Sequence, residues 1–404
     1  MANPIIRFKK DDGTSFPDWE EKELGQVLIE DLYPVPNPEG AYTKLAIRSH
    51  GKGTFDKHVE AGESLDVDKM FEVKADRVLL NITFAWELAI AITSEKDEGK
   101  LVSHRFPQYK IVNGDANFYK YCLINERMRY DLGVASPGGA GRNRVLNKND
   151  FLKIKRFIPC LEEQQKIASF FSDLDEVISA SEAEVAALEK QKKGAVQKIF
   201  SQEVRFKNDD GSDYPEWKTD KMDILGTFEK GRILSKADIS DNGIPMILYG
   251  ELYTRYSEVA TTIERKTEHD IKGLFLTKGG EVIIPCSGET PEDISTATCV
   301  LPSGVALGGD LIIFTPYDID GRIISYILNH QQKYKIASKA QGKSIVHISQ
   351  DTLKTLDLTY PTDVEEQQKI ADFLSNFDTA IDLAKQELEK WKLLKKGLLQ
   401  QMFV

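Results

Sequence analysis

The sequence repeats itself once at long range, and this restricts its fold more than any other feature. Residues 162–200 and 365–403 align without a gap at an offset of 203, with 17 of 39 positions identical. The identities include the whole of Glu162–Ala168 and Glu365–Ala371 (EEQQKIA) and a later Lys192–Gly194 and Lys395–Gly397 (KKG). A second pair, Ile6–Trp19 and Val204–Trp217, aligns at an offset of 198 with eight of 14 identical. The material between, roughly 20–160 and 218–362, is much less alike. A period of about 200 residues is far too long for a solenoid. It describes two copies of one half-molecule, each a short shared segment, a divergent module and a shared helix.

The periodicity of the second shared segment defines that helix. Alternating steps of four and three place Ile167, Phe171, Leu174, Ile178, Val185 and Leu188 on one seam, and Ile370, Leu374, Phe377, Ile381, Leu388 and Trp391 on the other. Ser181 and the matched Lys192 and Lys395 are the polar exceptions. A 3.5-residue apolar repeat kept this long predicts a coiled coil, each helix ~58 Å long. Neither helix buries its seam alone, so the natural partner is the other copy. Gly194 and Gly397 are expected to mark local bends or a close approach. The first helix ends at Phe200, four residues before the second copy starts at Val204. A pseudo-twofold relation between the halves therefore predicts that the two chain ends meet in the same way and that the helices run antiparallel. The expected architecture is α+β: two globular modules separated by two long helices forming an antiparallel coiled coil with a pseudo-twofold internal repeat. The predicted boundaries are 1–160, 161–201, 202–362 and 363–404.

Composition enters through charge. The chain carries 53 Lys and Arg against 64 Asp and Glu, a net −11, which taken whole disfavours a polyanionic partner. The acidity is local, however. Residues 1–40 and 201–220 together account for −8 of it, whereas 101–161 hold 11 basic against 4 acidic groups and 322–354 hold 6 against 1. Each divergent module thus ends in a basic region. The start of the chain lacks the apolar core of a signal peptide. The greasiest stretch, Val78–Thr93, is interrupted by Asn81, Thr83 and Glu87 and falls short of the ~20 apolar residues of a membrane helix. With four unpatterned cysteines, these features predict a cytoplasmic protein with reduced thiols and no membrane contact.

The basic regions hold the candidate binding residues. In the first, Ser136–Arg144 (SPGGAGRNR) is a glycine loop ending in Arg142, Asn143 and Arg144. In the second, Ser338–Ser344 (SKAQGKS) holds Lys339, Gln341, Lys343 and Ser344. Glycines let backbone approach a phosphate closely, and Arg, Asn, Gln and Lys are the side chains that read base edges. Earlier in the modules lie Arg48, Lys52, Thr54 and Lys57 around HGKGT, and Tyr249, Tyr253, Arg255 and Tyr256 within YGELYTRY. As a set they point to DNA contact; singly, each also fits an ordinary surface loop.

Catalytic constellations are missing. Gly342-Lys343-Ser344 resembles the end of a P-loop, but its required first glycine falls at Ala337. There is no GxSxG, and the six histidines lack ligand spacing. Pro17-Asp18 followed by Glu20-Glu21-Lys22 is too tightly spaced for a nuclease PD…ExK, and the second copy has Glu216 in place of the aspartate. Neither an active site nor a metal site is expected.

Two copies of EEQQKIA opening long helices, each after a divergent module, resemble the specificity subunit of type I restriction-modification systems. Pro159 and Pro361 just ahead of the helices, the FPDW and YPEW segments, YGELYTRY, and Gly342-Lys343-Ser344 with Ile348 following fit that family. The first module departs from it in having SPGGAGRNR rather than a GxS loop. The resemblance implies two target recognition domains, each reading one half of an asymmetric bipartite site on double-stranded DNA. It implies helices that set the spacer between half-sites and dock two methyltransferase subunits, which restriction motor-nuclease subunits join. S-adenosylmethionine, ATP and Mg²⁺ are then expected on those partners and none on this chain, which is expected to be non-catalytic. The alternative reading is a coiled-coil adaptor that binds only protein; a stand-alone nuclease is a distant third.

Overall fold

The computed structural model describes residues 4–63, 67, 69–138, 144–342 and 345–403. Among them the α-helices are, in chain order, α1 (Ala116–Cys122), α2 (Glu126–Val134), α3 (Lys148–Leu152), α4 (Leu161–Phe200), α5 (Gly321–His330), α6 (Lys333–Ser338), α7 (Gln350–Lys354) and α8 (Val364–Met402). The rest is mainly short strands and turns, so the class is mixed helix and sheet. The chain divides into two compact units, Met1–Ser181 with Glu387–Val404, and Glu182–Gln386. No helix of the described residues is long and apolar enough to cross a membrane.

In the first unit a five-stranded sheet runs Pro34–Pro36, Lys69–Glu72, Leu101–Val102, Tyr42–Ile47, Thr54–Val59, and a four-stranded sheet runs Leu28–Glu30, Gln108–Ile111, Arg77–Leu80, Ile90–Ile92. Asp115 starts α1 by accepting from the Phe118 N–H at 2.9 Å, and Asn125 starts α2 by accepting from Met128 at 2.9 Å. The helical side of the core is aromatic. Trp19, Phe118, Phe171 and Phe403 stack with ring centroids 5.7–6.4 Å apart.

In the second unit the larger sheet runs Gly226–Lys230, Leu311–Pro316, Glu281–Pro285, Thr298–Val300, Val259–Ala260. Its central strand, Glu281–Pro285, is buried at every residue; Val282–Ile284 are apolar, and the Glu281 carboxylate accepts from the Lys278 (2.7 Å) and Gly279 (2.9 Å) N–H groups. A four-stranded sheet (Lys266–Thr267, Ile244–Ile247, Ala306–Leu307, Phe275–Leu276) and a two-stranded ladder of Ser287–Gly288 with Val346–His347 complete it. The two sheet arrangements differ.

The repeated segments, in contrast, build the same joint in each unit. Glu163, fully buried in the first turn of α4, accepts from Arg7 Nε (3.1 Å) and Nη2 (2.8 Å) and from Trp19 Nε1 (3.1 Å). Glu366, fully buried in α8, accepts from Arg205 Nε (3.2 Å) and Nη2 (3.1 Å) and from Trp217 Nε1 (3.1 Å). Each arginine also donates to the carbonyl of a proline in its own segment, Pro17 at 2.6 Å and Pro215 at 2.7 Å. Gln164 donates to the Pro159 carbonyl (2.9 Å) and accepts the N–H of the α1 cap Asp115 (3.0 Å). Gln367 does the same with Pro361 (3.0 Å) and the α5 cap Asp320 (2.8 Å). Lys166 and Lys369 reach Asp11 and Asp209 at 2.5 and 2.7 Å. EEQQKIA is therefore repeated because every polar member after its first residue but one has a partner in the other shared segment or at the module's helix cap. A two-stranded antiparallel ladder closes each module against this joint, Glu20–Glu23 with Lys155–Ile158 and Lys218–Lys221 with Asp357–Tyr360.

All twelve seam positions are buried or half-buried. In the first unit Phe171 meets Phe403 and Asp175 meets Lys395, so rising numbers on α4 pair with falling numbers on α8. The second unit shows the same sense, with Glu189 2.7 Å from Lys385 and Lys192 paired to Asp378. The chain ends meet as expected: Ile5 N–H donates to Gln401 O at 3.0 Å, and at the corresponding place Val204 N–H donates to Lys198 O at 3.2 Å. The expected close approach at Gly194 and Gly397 is not found. Both helices run through them unbroken, and a Cβ at either would meet nothing within 4 Å, so neither marks a close approach.

Candidate nucleic-acid interface

In the first unit the glycine loop follows α2 and is pinched by an isolated antiparallel bridge between Gly138 and Arg144. Arg142 and Asn143 lie outside the described residues. Arg144 is held from two sides: Nη2 donates to Gly133 O at 3.3 Å, and its guanidinium lies 5.6 Å from the Trp86 ring centroid. Trp86 belongs to the turn Ala85–Glu87, and that turn also anchors the other predicted segment. His50 N–H donates to Glu87 O (2.7 Å), Gly51 N–H to Leu88 O (2.9 Å), and Ser49 Oγ to the Glu87 carboxylate (2.7 Å). Gly51 has a φ of +65°, and a Cβ there would sit 2.2 Å from Ile124 Cγ2, so only glycine fits. The structure thus connects two segments that lie nearly ninety residues apart in the chain.

The remaining predicted residues of this unit divide. Arg48 packs its guanidinium 4.7 Å from the Phe55 ring and donates to Thr54 O at 2.9 Å; Lys52 and Lys57 are exposed. Lys57 stands directly opposite Lys44 in the antiparallel pair of Tyr42–Ile47 with Thr54–Val59. Burial, then the charge of Lys57, pushes the Lys44 ammonium below its ordinary value. Like charges placed face to face weaken a sheet, and such a pair is relieved by an anion. Thr54 is committed to the fold through a 3.1 Å hydrogen bond to Asp97. Sequence reasoning missed Trp86, exposed Phe84, and exposed His104 and Arg105; Arg105 donates to Thr83 Oγ1 at 3.3 Å on the same turn. An aromatic inside an apolar run reads as core, and nothing local distinguishes these.

In the second unit the corresponding loop is closed by a bridge between Gln341 and His347, with N–H to O distances of 3.1 and 2.8 Å. Lys343 and Ser344 lie outside the described residues. Exposed His347 is anchored through Nδ1, 3.0 Å from Ser287 Oγ. Lys339 donates to Thr355 Oγ1 at 3.0 Å. Tyr249, Tyr253 and Tyr256 are half-buried. Burial first, then the neighbouring Tyr249, Asp293 and Glu289, raises the Tyr253 phenol above its ordinary value. Arg255 is neutralised by Glu264 and, at 3.6 Å, by Glu251. The one cation of the YGELYTRY segment is therefore ion-paired. Among the described residues no group of His, Cys, Asp and Glu is placed to hold a metal.

A family model described as the type I restriction modification DNA specificity domain matches residues 80–190 and 214–392. The type I restriction enzyme MjaVIII specificity subunit of Methanocaldococcus jannaschii is 24% identical over 294 residues, 69% of this chain and 68% of that one. The S subunit of the type I restriction-modification system from M. genitalium has a similar fold, with a TM-score of 0.61, 14% identity, and coverage of 100% of this chain and 99% of that one. A chain from a structural study of complex assembly and conformational transition in the type I system gives 0.55, with 15% identity over 96% and 97%.

Proposed function

The chain belongs to the type I restriction-modification DNA specificity family, and on that footing we propose that it is the non-catalytic subunit through which an assembled complex reads a bipartite DNA target. Each divergent module reads one half-site. The two long helices form an antiparallel coiled coil about a pseudo-twofold axis, set the spacer and dock two methyltransferase subunits, with restriction motor-nuclease subunits joining them in the cytoplasm. S-adenosylmethionine, ATP and Mg²⁺ belong to those partners.

One observation carries this reading. Both units close a glycine-bearing loop with an isolated bridge, Gly138 to Arg144 and Gln341 to His347, just before a short capped helix and the ladder leading into the long helix. The mount is the same and the lining is different, which is what two readers of different half-sites need. The deciding experiment is to sequence methylated adenines in a host carrying this gene with its methyltransferase. One asymmetric motif with a fixed spacer is expected, and about one extra helical turn in α4 should lengthen that spacer. A chain that copurifies with the methyltransferase yet confers no motif is the protein-only adaptor.

A further inference from the structure

The apolar seam carries one lysine per copy, and each has found its partner in the other copy. In the first unit Lys395 pairs with Asp175, which also accepts from Tyr121 OH at 2.8 Å and Lys120 Nζ at 2.9 Å. In the second unit Lys192 pairs with Asp378, which accepts from Tyr326 OH at 2.5 Å. Lys192 and Asp378 side chains are each only 10% exposed. Lys192 also lies 2.5 Å from Glu258, whose other oxygen is 2.7 Å from His330 Nε2. The lysines correspond at the offset of 203, and so do the aspartates. Each helix therefore presents an aspartate early and a lysine late, and a parallel pairing would oppose like to like.

The same charges discriminate against slippage. A seam of aliphatic and aromatic residues exchanges one apolar contact for another when it slides by a heptad, so it fixes alignment weakly. Sliding seven residues one way sets Lys192 against Lys385 and Lys395 against Glu182; sliding the other way sets both lysines against Ala371 and Ala168, which are buried. One direction brings Lys192 onto a second ammonium and, although Lys395 meets a carboxylate, sets Asp378 and Asp175 against buried Ile199 and Met402; the other buries both lysines without a carboxylate. Fixing register is the best-attested use of a buried polar pair.

We propose that Lys192–Asp378 and Lys395–Asp175 are positioning pairs that hold the two long helices in a single alignment, and thereby fix one spacer length in the DNA target. This rests on the reading of the helix pair as a spacer. A heptad is about 10.5 Å of helix, the length of about 3 bp at ~3.4 Å each.

The test uses the full chain with its methyltransferase and has two readouts. The first is the spacer distribution of methylated sites for wild type, K192M/K395M and the charge-retaining K192R/K395R. The second is the yield with which a bifunctional maleimide cross-links E189C/K385C, positions whose native side-chain ends meet at 2.7 Å, in each background and without DNA. Expected in K192M/K395M are a lower cross-link yield and secondary spacers about 3 bp away taking on the order of a tenth of methylated sites, a tenfold preference in place of a near-absolute one. The arginine variant should keep one spacer. Retention of a single spacer and an unchanged cross-link yield in K192M/K395M overturns the proposal. Should that variant not fold, K395M alone decides, because Asp175 keeps Lys120 and Tyr121: lower yield supports the pin and unchanged yield overturns it. A wild-type complex with no bipartite motif refutes the spacer reading, while the cross-link still reports on the pairs.

Discussion

Arg7→Met should unfold the first unit far more readily than its place near the start of the chain suggests. The Arg7 side chain is 18% exposed and its partner Glu163 is fully buried. Removing the guanidinium takes away two charge-assisted hydrogen bonds and leaves a buried carboxylate with the Trp19 N–H at 3.1 Å. Breaking a buried ion pair from one side costs about 3–5 kcal/mol, against ~0–1 kcal/mol for an exposed pair such as Lys22–Glu20. Trp19→Phe loses the donor together with the five-membered half of the buried indole, so a cost of at least about 1.5–3 kcal/mol is expected. R7M/E163Q removes the stranded charge and should cost less than the sum of the single variants. The measurement is guanidinium denaturation followed by tryptophan fluorescence, with R205M probing the second unit in parallel. A cost below about 1 kcal/mol for R7M, or strict additivity in the cycle, refutes the reasoning.

Two further outcomes follow from the structure. Burial pushes the Glu258 carboxyl up, but the hydrogen bond from His330 and the charge of Lys192 outweigh it and bring it down to about 2 from an ordinary 4.5. Its contribution to stability is therefore complete above about pH 4.5 and is lost as pH falls toward 2, and E258Q should flatten that limb of the stability curve in denaturation midpoints; an unaltered limb counts against the cluster. At the interface, R144A should weaken DNA binding by the assembled complex by about 1–3 kcal/mol if it reads a base, or lower the salt slope by ~1 if it meets phosphate, and W86A should reproduce part of that loss with little added in the double variant. Anisotropy titrations across salt check both, and unchanged binding removes this loop from the interface.

What the sequence disclosed is what repeats or is local. Seam residues such as Phe171 and Ile381 announce themselves by spacing, because helical periodicity is written in consecutive residues. The joint was half legible: EEQQKIA and the Arg7–Trp19 segment were visible as repeated strings, but that Arg7 and Trp19 grip Glu163 depends on contacts about 150 residues apart. Lys192 and Lys395 appeared only as blemishes on an apolar seam, since Asp175 and Asp378 sit off that seam. The sheet pairings were not legible, because register is decided by non-local packing rather than by propensity. For the same reason the link that Trp86 and its turn make between Arg144 and the His50 segment emerged only in the fold.

The joint built by Arg7, Trp19, Glu163 and Gln164, and again by Arg205, Trp217, Glu366 and Gln367, draws almost all its side chains from outside the divergent stretches. From each module it takes only backbone groups, the N–H of a cap, Asp115 or Asp320, and the carbonyl of Pro159 or Pro361. Natural selection for a new DNA target and selection for a foldable chain therefore act on different residues. A module can drift, or be replaced outright, without disturbing the socket that receives it, and a host can acquire a new specificity without having to rediscover how to fold the protein.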